Sequence, residues 1–195
     1  MTTQRYIVSS FLTMAAILAQ DRVAVTVTET ESGYNRAGEL KFSFINVIGV
    51  RSDGSTVHSQ SNAKPGKRII TDLSKGERIA VNGRTESVST NPIAPLEMEF
   101  LKRVPRCSTL DPKMRGSMLG YDVIHEVDER VRPSTTFRME QWLAPALDCL
   151  PLKQIFYVGS TPADVYAANV KEVTKVTIGE PPSTLFEKPA GCKQR

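Results

Sequence analysis

From Arg22 onward, apolar residues return at every second position, and that period decides what this chain can build. Val23, Val25 and Val27 alternate with Ala24, Thr26 and Thr28, the spacing of a strand with one face buried and one wet. Similar β-rich runs cover residues 39–50, 56–61, 68–72, 78–82, 85–89, 119–127, 136–143, 155–158 and 173–178. Turn residues separate them: Ser52-Asp53-Gly54-Ser55, Leu73-Ser74-Lys75-Gly76-Glu77, and Asn82-Gly83, a strong short hairpin signal. Leu119, Tyr121, Val123, His125 and Val127 share one face of their run. In 136–143, Phe137, Met139 and Leu143 lie on one face and Arg138, Glu140 and Trp142 on the other. Residues 95–102 follow helical spacing at Leu96, Phe100 and Leu101, the polar stretch 128–134 reads as a loop, and 164–170 fits helix or strand. Many short strands with turns between them predict a mostly β chain. Its antiparallel sheet would curl into a barrel or sandwich, with one or two short helices.

The first 19 residues read differently. Arg5 is the only charge before Asp21, and residues 6–18 are uncharged. A basic end, a short apolar run and a small residue at its exit are the features of a secretory signal. The expected cut follows Ala19, with Gln20 as the next choice. The run carries Ser9, Ser10 and Thr13 and is shorter than the roughly 20 apolar residues of a spanning helix. Residues 20–195 are then one β-rich domain in a periplasmic or secreted location, large enough for a sizeable core.

Export changes the meaning of the cysteines. Cys107, Cys149 and Cys192 allow three pairings, and two thiols are expected to pair in an oxidising compartment. Cys107 with Cys149 is favoured, because each sits beside a predicted strand in mid-domain. Cys192, near the end of the chain, is left free or pairs between molecules. The spacings do not fit a zinc cage. Net charge is mild. The clusters Lys64, Lys67, Arg68 and Lys102, Arg103, Arg106 carry no interleaved aromatic motif, which argues against nucleic acid as a partner.

Catalytic motifs are missing. The chain has no P-loop, no G-x-G-x-x-G, no H-E-x-x-H and no G-x-S-x-G. His125-Glu126 starts like a zincin helix, but position 129 is Glu. The two histidines, His58 and His125, read as a surface residue and a half-buried one. The acidic pairs Asp128-Glu129 and Glu97-Glu99 lack the further oxygen ligands of a calcium loop. No cofactor or metal is implied.

Toward the C-terminus the order of residues becomes familiar. Gly116 to Val127 (GSMLGYDVIHEV) is followed by Glu140-Gln141-Trp142-Leu143-Ala144-Pro145, by Asp148-Cys149, and by Leu185-Phe186-Glu187-Lys188-Pro189. This resembles uncharacterised exported bacterial proteins related to the LolA-like lipoprotein-carrier superfamily, over about residues 66–191. The resemblance implies an open half-barrel, an antiparallel curled sheet with an apolar concave face. Known members carry or sense lipid-linked groups. An apolar trough here is expected to take its walls from Tyr121, Val123, Phe137 and Met139.

Three functions follow as expectations. The first is a non-enzymatic exported binding module for an apolar or lipid-linked ligand or an envelope protein, touching membrane only transiently. The second is a structural or interaction protein of the envelope with a filled barrel. The third is a secreted hydrolase using His125 with a carboxylate, which needs a nucleophile within about 3 Å of that ring.

Overall fold

The computed structural model describes residues 22–60, 67–82, 85, 87–105, 107, 115–132, 134–188 and 193–194. The expected signal segment, Lys64, Gly83, Arg106, Pro189 and Cys192 lie outside the described residues. Twelve strands form a single sheet: β1 (Val25–Tyr34), β2 (Leu40–Val50), β3 (Thr56–Gln60), β4 (Lys67–Asp72), β5 (Glu77–Asn82), β6 (Ser87–Pro92), β7 (Arg115–Met118), β8 (Tyr121–Arg132), β9 (Thr135–Ala144), β10 (Leu150–Gly159), β11 (Tyr166–Ile178) and β12 (Lys193–Gln194). The spatial order is β12-β6-β5-β4-β3-β2-β1-β11-β10-β9-β8-β7. Every neighbouring pair is antiparallel except β12 with β6. The mostly β, antiparallel sheet expected from the periodicity is therefore the fold, in the open curled form that the resemblance implied.

The first strand lies in the middle. β1 pairs with β2 on one side and with β11 on the other, so Val25 faces Val50 and Ile178. Two meanders, β1 to β6 and β7 to β11, meet along β1 and β11. Two cores form, the first shared by both meanders. Val25, Val27, Val123, Ala144, Leu147, Leu152 and Val173 form one; Val57, Ile70, Ile79, Val81 and Val88 form the other. The second core is capped by the segment Ser183–Phe186, whose Leu185 and Phe186 pack on it. Arg68 Nη1 donates to the carbonyls of Thr184, Leu185 and Glu187, and the Arg51 guanidinium stands 3.8 Å from the Phe186 ring centre. These two arginines hold the cap by its backbone and its ring.

One expectation is corrected, and one open alternative is resolved. Residues 128–132 are strand, not loop: β8 runs to Arg132 and pairs with β9 as far as Arg132 opposite Thr135. The stretch reads as a loop because this end of β8 is exposed on both faces, so neither face requires apolar residues. The ambiguous stretch 164–170 is neither all helix nor all strand. A 3-10 turn, Pro162–Asp164, leads into β11. The one α-helix among the described residues, α1 (Pro95–Lys102), is where expected, with Pro95 in its first turn and Arg78 pairing Glu97 at 2.8 Å. Its Leu96 and Phe100 point outward, 82% and 71% exposed.

The β4–β5 turn shows how a polar residue is buried at low cost. Asp72 Oδ1 accepts from Ser74 N, Ser74 Oγ and Lys75 N at 3.1, 2.6 and 3.1 Å, and Lys75 Nζ is 3.0 Å from Oδ2. Burial pushes the Asp72 carboxyl up, but the bonds from Ser74 and Lys75 and the Lys75 charge outweigh it, and the pKa is lowered. A lowered folded pKa gives stability that is present above the unfolded value of about 3.9 and lost as pH falls through the folded one. Asp72→Asn should therefore cost about 1–2 kcal/mol at pH 7. In urea unfolding the gap between variant and wild type should close in strong acid; a gap independent of pH would refute the assignment.

Candidate ligand-binding face

Cross-strand partners point to the same side of a sheet, so the register sorts the side chains. On one side of β8 to β10 the His125 ring stacks on Trp142, centres 4.3 Å apart, and Lys153 Nζ lies 5.7 Å from the Trp142 ring. His125 Nε2 is 3.3 Å from Glu140 Oε2 without hydrogen-bond alignment, and Arg138 Nη2 donates to Glu140 Oε1 at 2.5 Å. Burial raises the Tyr157 pKa on this side; the Glu140 charge adds to the rise and the Arg138 charge opposes it. Among the described residues His125 Nε2 has no hydrogen-bond partner. The ring meets Trp142 and Glu140.

The other side carries ordered rows that run across five strands. Met139, Phe156, Asn169, Gly33 and Phe42 align from β9 through β10, β11 and β1 to β2. The next row is Gln141, Gln154, Lys171, Glu31 and Phe44. The one beyond it brings Val173, Glu29, Asn46 and Gln60 together. On the opposite flank, Phe137, Val158 and Tyr166 form an outer row. Aromatic rows thus lie beside a polar belt, and the polar belt lies beside the valine core.

The polar belt is built around Asn46. Its Nδ2 donates to Glu29 Oε1 at 2.9 Å and to Glu31 Oε2 at 3.0 Å. Asn169 Nδ2 donates to Glu31 Oε1 at 3.1 Å, Lys171 Nζ lies 3.9 Å from Glu31 Oε2, and Gln154 Nε2 donates to Gln141 Oε1 at 2.8 Å. Asn46 is fully buried and Glu29 is 6% exposed. One amide that donates to both carboxylates lets two acids sit side by side in the sheet. Among the described residues its own oxygen has no donor.

The aromatic rows are open. Phe137 and Phe156 stack with centres 5.9 Å apart, and Phe156 is 39% exposed. With Met139 they line a hollow of about 250 Å³ whose rim is Asp128, Arg130 and Arg132. At the far end of the face Phe42 and Phe44 stack at 5.0 Å. The Phe42 ring lies over Gly33, where a Cβ would sit 2.2 Å from Phe42 Cε1, so only glycine leaves room for the ring.

The four residues expected to wall one trough are split between the two sides. Phe137 and Met139 meet in the hollow just described. Val123 is 1% exposed in the valine core, on the His125 side of β8. Tyr121 shares that side and bounds a separate hollow of about 520 Å³ with Gly120, Asp122, Ile124, Pro145 and Ala146. Both segments are apolar on odd positions, but His125 pairs with Trp142, so odd positions of β8 face even positions of β9. Register across a hairpin turn does not appear in either strand's own pattern. Phe156 was not anticipated as a site residue. A register shift at Leu152, between Pro151 and Lys153, sets which β10 residues share its side. The expected staple is present: Cys107 and Cys149 are bonded, their Cα atoms 5.3 Å apart.

No family model matches the chain, and no curated protein matches it. Among solved structures, one of an uncharacterized conserved protein from Thermus thermophilus matches at TM-score 0.57 and 11% identity, covering 89% of this chain and 90% of that one. MucB matches at TM-score 0.51 and 12% identity over 90% of this chain, which spans 60% of the MucB chain. A looser match is a LolA superfamily protein from Nitrosomonas europaea, at TM-score 0.35 and 9% identity, covering 87% and 91%. The first two likenesses show a shared fold. Among the described residues no helix is long and apolar enough to cross a membrane.

Proposed function

We propose that the protein is an exported, non-enzymatic binding module that holds an apolar or lipid-linked ligand against the aromatic rows. Phe137, Met139 and Phe156 make the contact. The carrying observation is the open hollow itself: two stacked aromatics and a methionine left partly in water on a sheet that buries Val25, Val27 and Val123 almost fully. Exposed apolar patches of this kind mark sites where something binds. Arg130 and Arg132 at the rim suit a ligand that carries an anionic group next to its apolar part. The sequence resemblance to lipoprotein carriers and the disulfide of an oxidising compartment support the same reading. The protein then works in the periplasm or outside the cell, meets membrane only transiently, and takes or hands over its ligand there.

Delipidated protein should take up a fluorescent fatty acid, and Phe156→Arg should weaken that uptake roughly tenfold or more, the worth of one aromatic contact. Tyr121→Arg, on the other side of the sheet, should leave it unchanged. The reading is overturned if the fatty acid is not taken up, or if Tyr121→Arg abolishes uptake while Phe156→Arg does not.

A further inference from the structure

The hollow is one end of a longer track across the sheet. On β8, Asp128 and Arg130 stand opposite Met139 and Phe137 of β9. Two parallel rows start there. One runs through Met139, Phe156, Asn169 and Gly33 to Phe42, and the other through Phe137 and Val158 to Tyr166. Alternate residues of a strand lie about 6.7 Å apart, which sets the distance between the rows. Asn169 stands in the first row but gives its amide to Glu31, on the side of the polar belt.

At Gly33 the first row is blocked. The Phe42 ring reaches from β2 over β1 and lies where a Gly33 side chain would stand. Phe44 stacks on that ring and holds it in place. Gly33 is buried beneath, while Phe42 itself stays partly in water. The track thus has a charged end at β8 and an aromatic stop at β1.

We infer that the track takes one extended acyl chain, laid across the strands, and that Phe42 over Gly33 sets its length. The anionic end sits at Arg130 and Arg132, and the methyl end meets Phe42. Adjacent strands are about 4.8 Å apart, so the path from β8 through β9, β10 and β11 to β1 spans about 19 Å. A saturated chain advances about 1.25 Å per carbon, given a C–C bond of about 1.52 Å. The track therefore holds about 15 carbons. Carbons pack about 4 Å from their neighbours, so the furrow between the two rows admits a single chain. A second chain would lie over Gln141, Gln154 and Lys171 and strip water from them. This inference rests on the binding reading above.

The test is displacement of the fluorescent fatty acid by saturated fatty acids of graded length. Affinity should rise about twofold per carbon, half the gain of a fully enclosed methylene, and level off near about 15 carbons. Phe42→Ala should move that break about four carbons longer, one strand spacing, without changing the slope. Phe42→Leu, a milder change, should move it about half as far. Arg130→Gln combined with Arg132→Gln should weaken every length by a similar factor and leave the break in place. Competition by a lysophospholipid of matching length marks the chain of a larger lipid as the source, and its failure marks free acids; the single-chain track is supported in both cases. A two-chain phospholipid that binds far more tightly than its one-chain form overturns the inference. So does affinity that climbs with length without a break, or a break that both folded Phe42 variants leave in place. These results spare the binding reading, whereas no uptake at any length removes both.

Discussion

Asn46→Asp should lower stability by roughly 3–5 kcal/mol at neutral pH, the cost of leaving a buried charge without its partner. The change is a few atoms in size, so sterics do not drive it. The Asn46 amide is the donor shared by Glu29 and Glu31, at 2.9 and 3.0 Å, inside the sheet. The substitution replaces that donor with an acceptor and crowds a third carboxyl against two others. The new acid would hold its proton to a higher pH when folded than when unfolded. For an acid with a raised folded pKa, the penalty is absent below the unfolded value of about 3.9 and grows as pH rises through the folded one. Denaturant unfolding at pH 4 and pH 7 should give a small loss at the first and a large one at the second. Equal losses at both would mean that the amide does not hold the two acids together.

Breaking the disulfide should be comparably severe. Cys107 and Cys149 close a loop with a sequence separation of 42, worth about 4 kcal/mol in the chain-entropy picture. The native site around it is demanding as well. Asp148 and Cys149 both take left-handed backbone angles, φ 53° and 61°, and Asp148 Oδ2 accepts from Val23 N at 2.6 Å at the entrance to β1. The bond therefore anchors a turn that the central strand leans on. Replacing both cysteines with serine should lower the melting temperature by roughly 10 °C, and reductant should do the same to wild type but nothing to the variant. An unchanged melting temperature in reductant would show that the staple carries no stability.

The sequence made strands easy to place and their mutual alignment hard. Val25 and Val27 announce β1 because the burial of a strand is written in its own alternation. Glu29 continues the same phase and is buried with them, and a charge in the inward phase was a legible sign of the polar belt. The far half of β8 was hidden for the opposite reason: an exposed edge imposes no pattern. The site suffered most. Phe137 and Met139 were legible as neighbours because they share a face within one strand. Grouping them with Tyr121 and Val123 needed the β8–β9 register, which arises only when the hairpin closes. Phe156 needed the shift at Leu152 too.

The central place of β1 has a consequence for the order of events in folding. The first strand made has β2 beside it at once, but its other neighbour is β11, and the hydrogen bond from Thr174 Oγ1 to the Thr28 carbonyl spans 146 residues. Contacts that distant in sequence form late and slow the search for the native state. Until the last long strand emerges, the middle of the sheet is an open seam. The seam closes only when β11 lies down against β1.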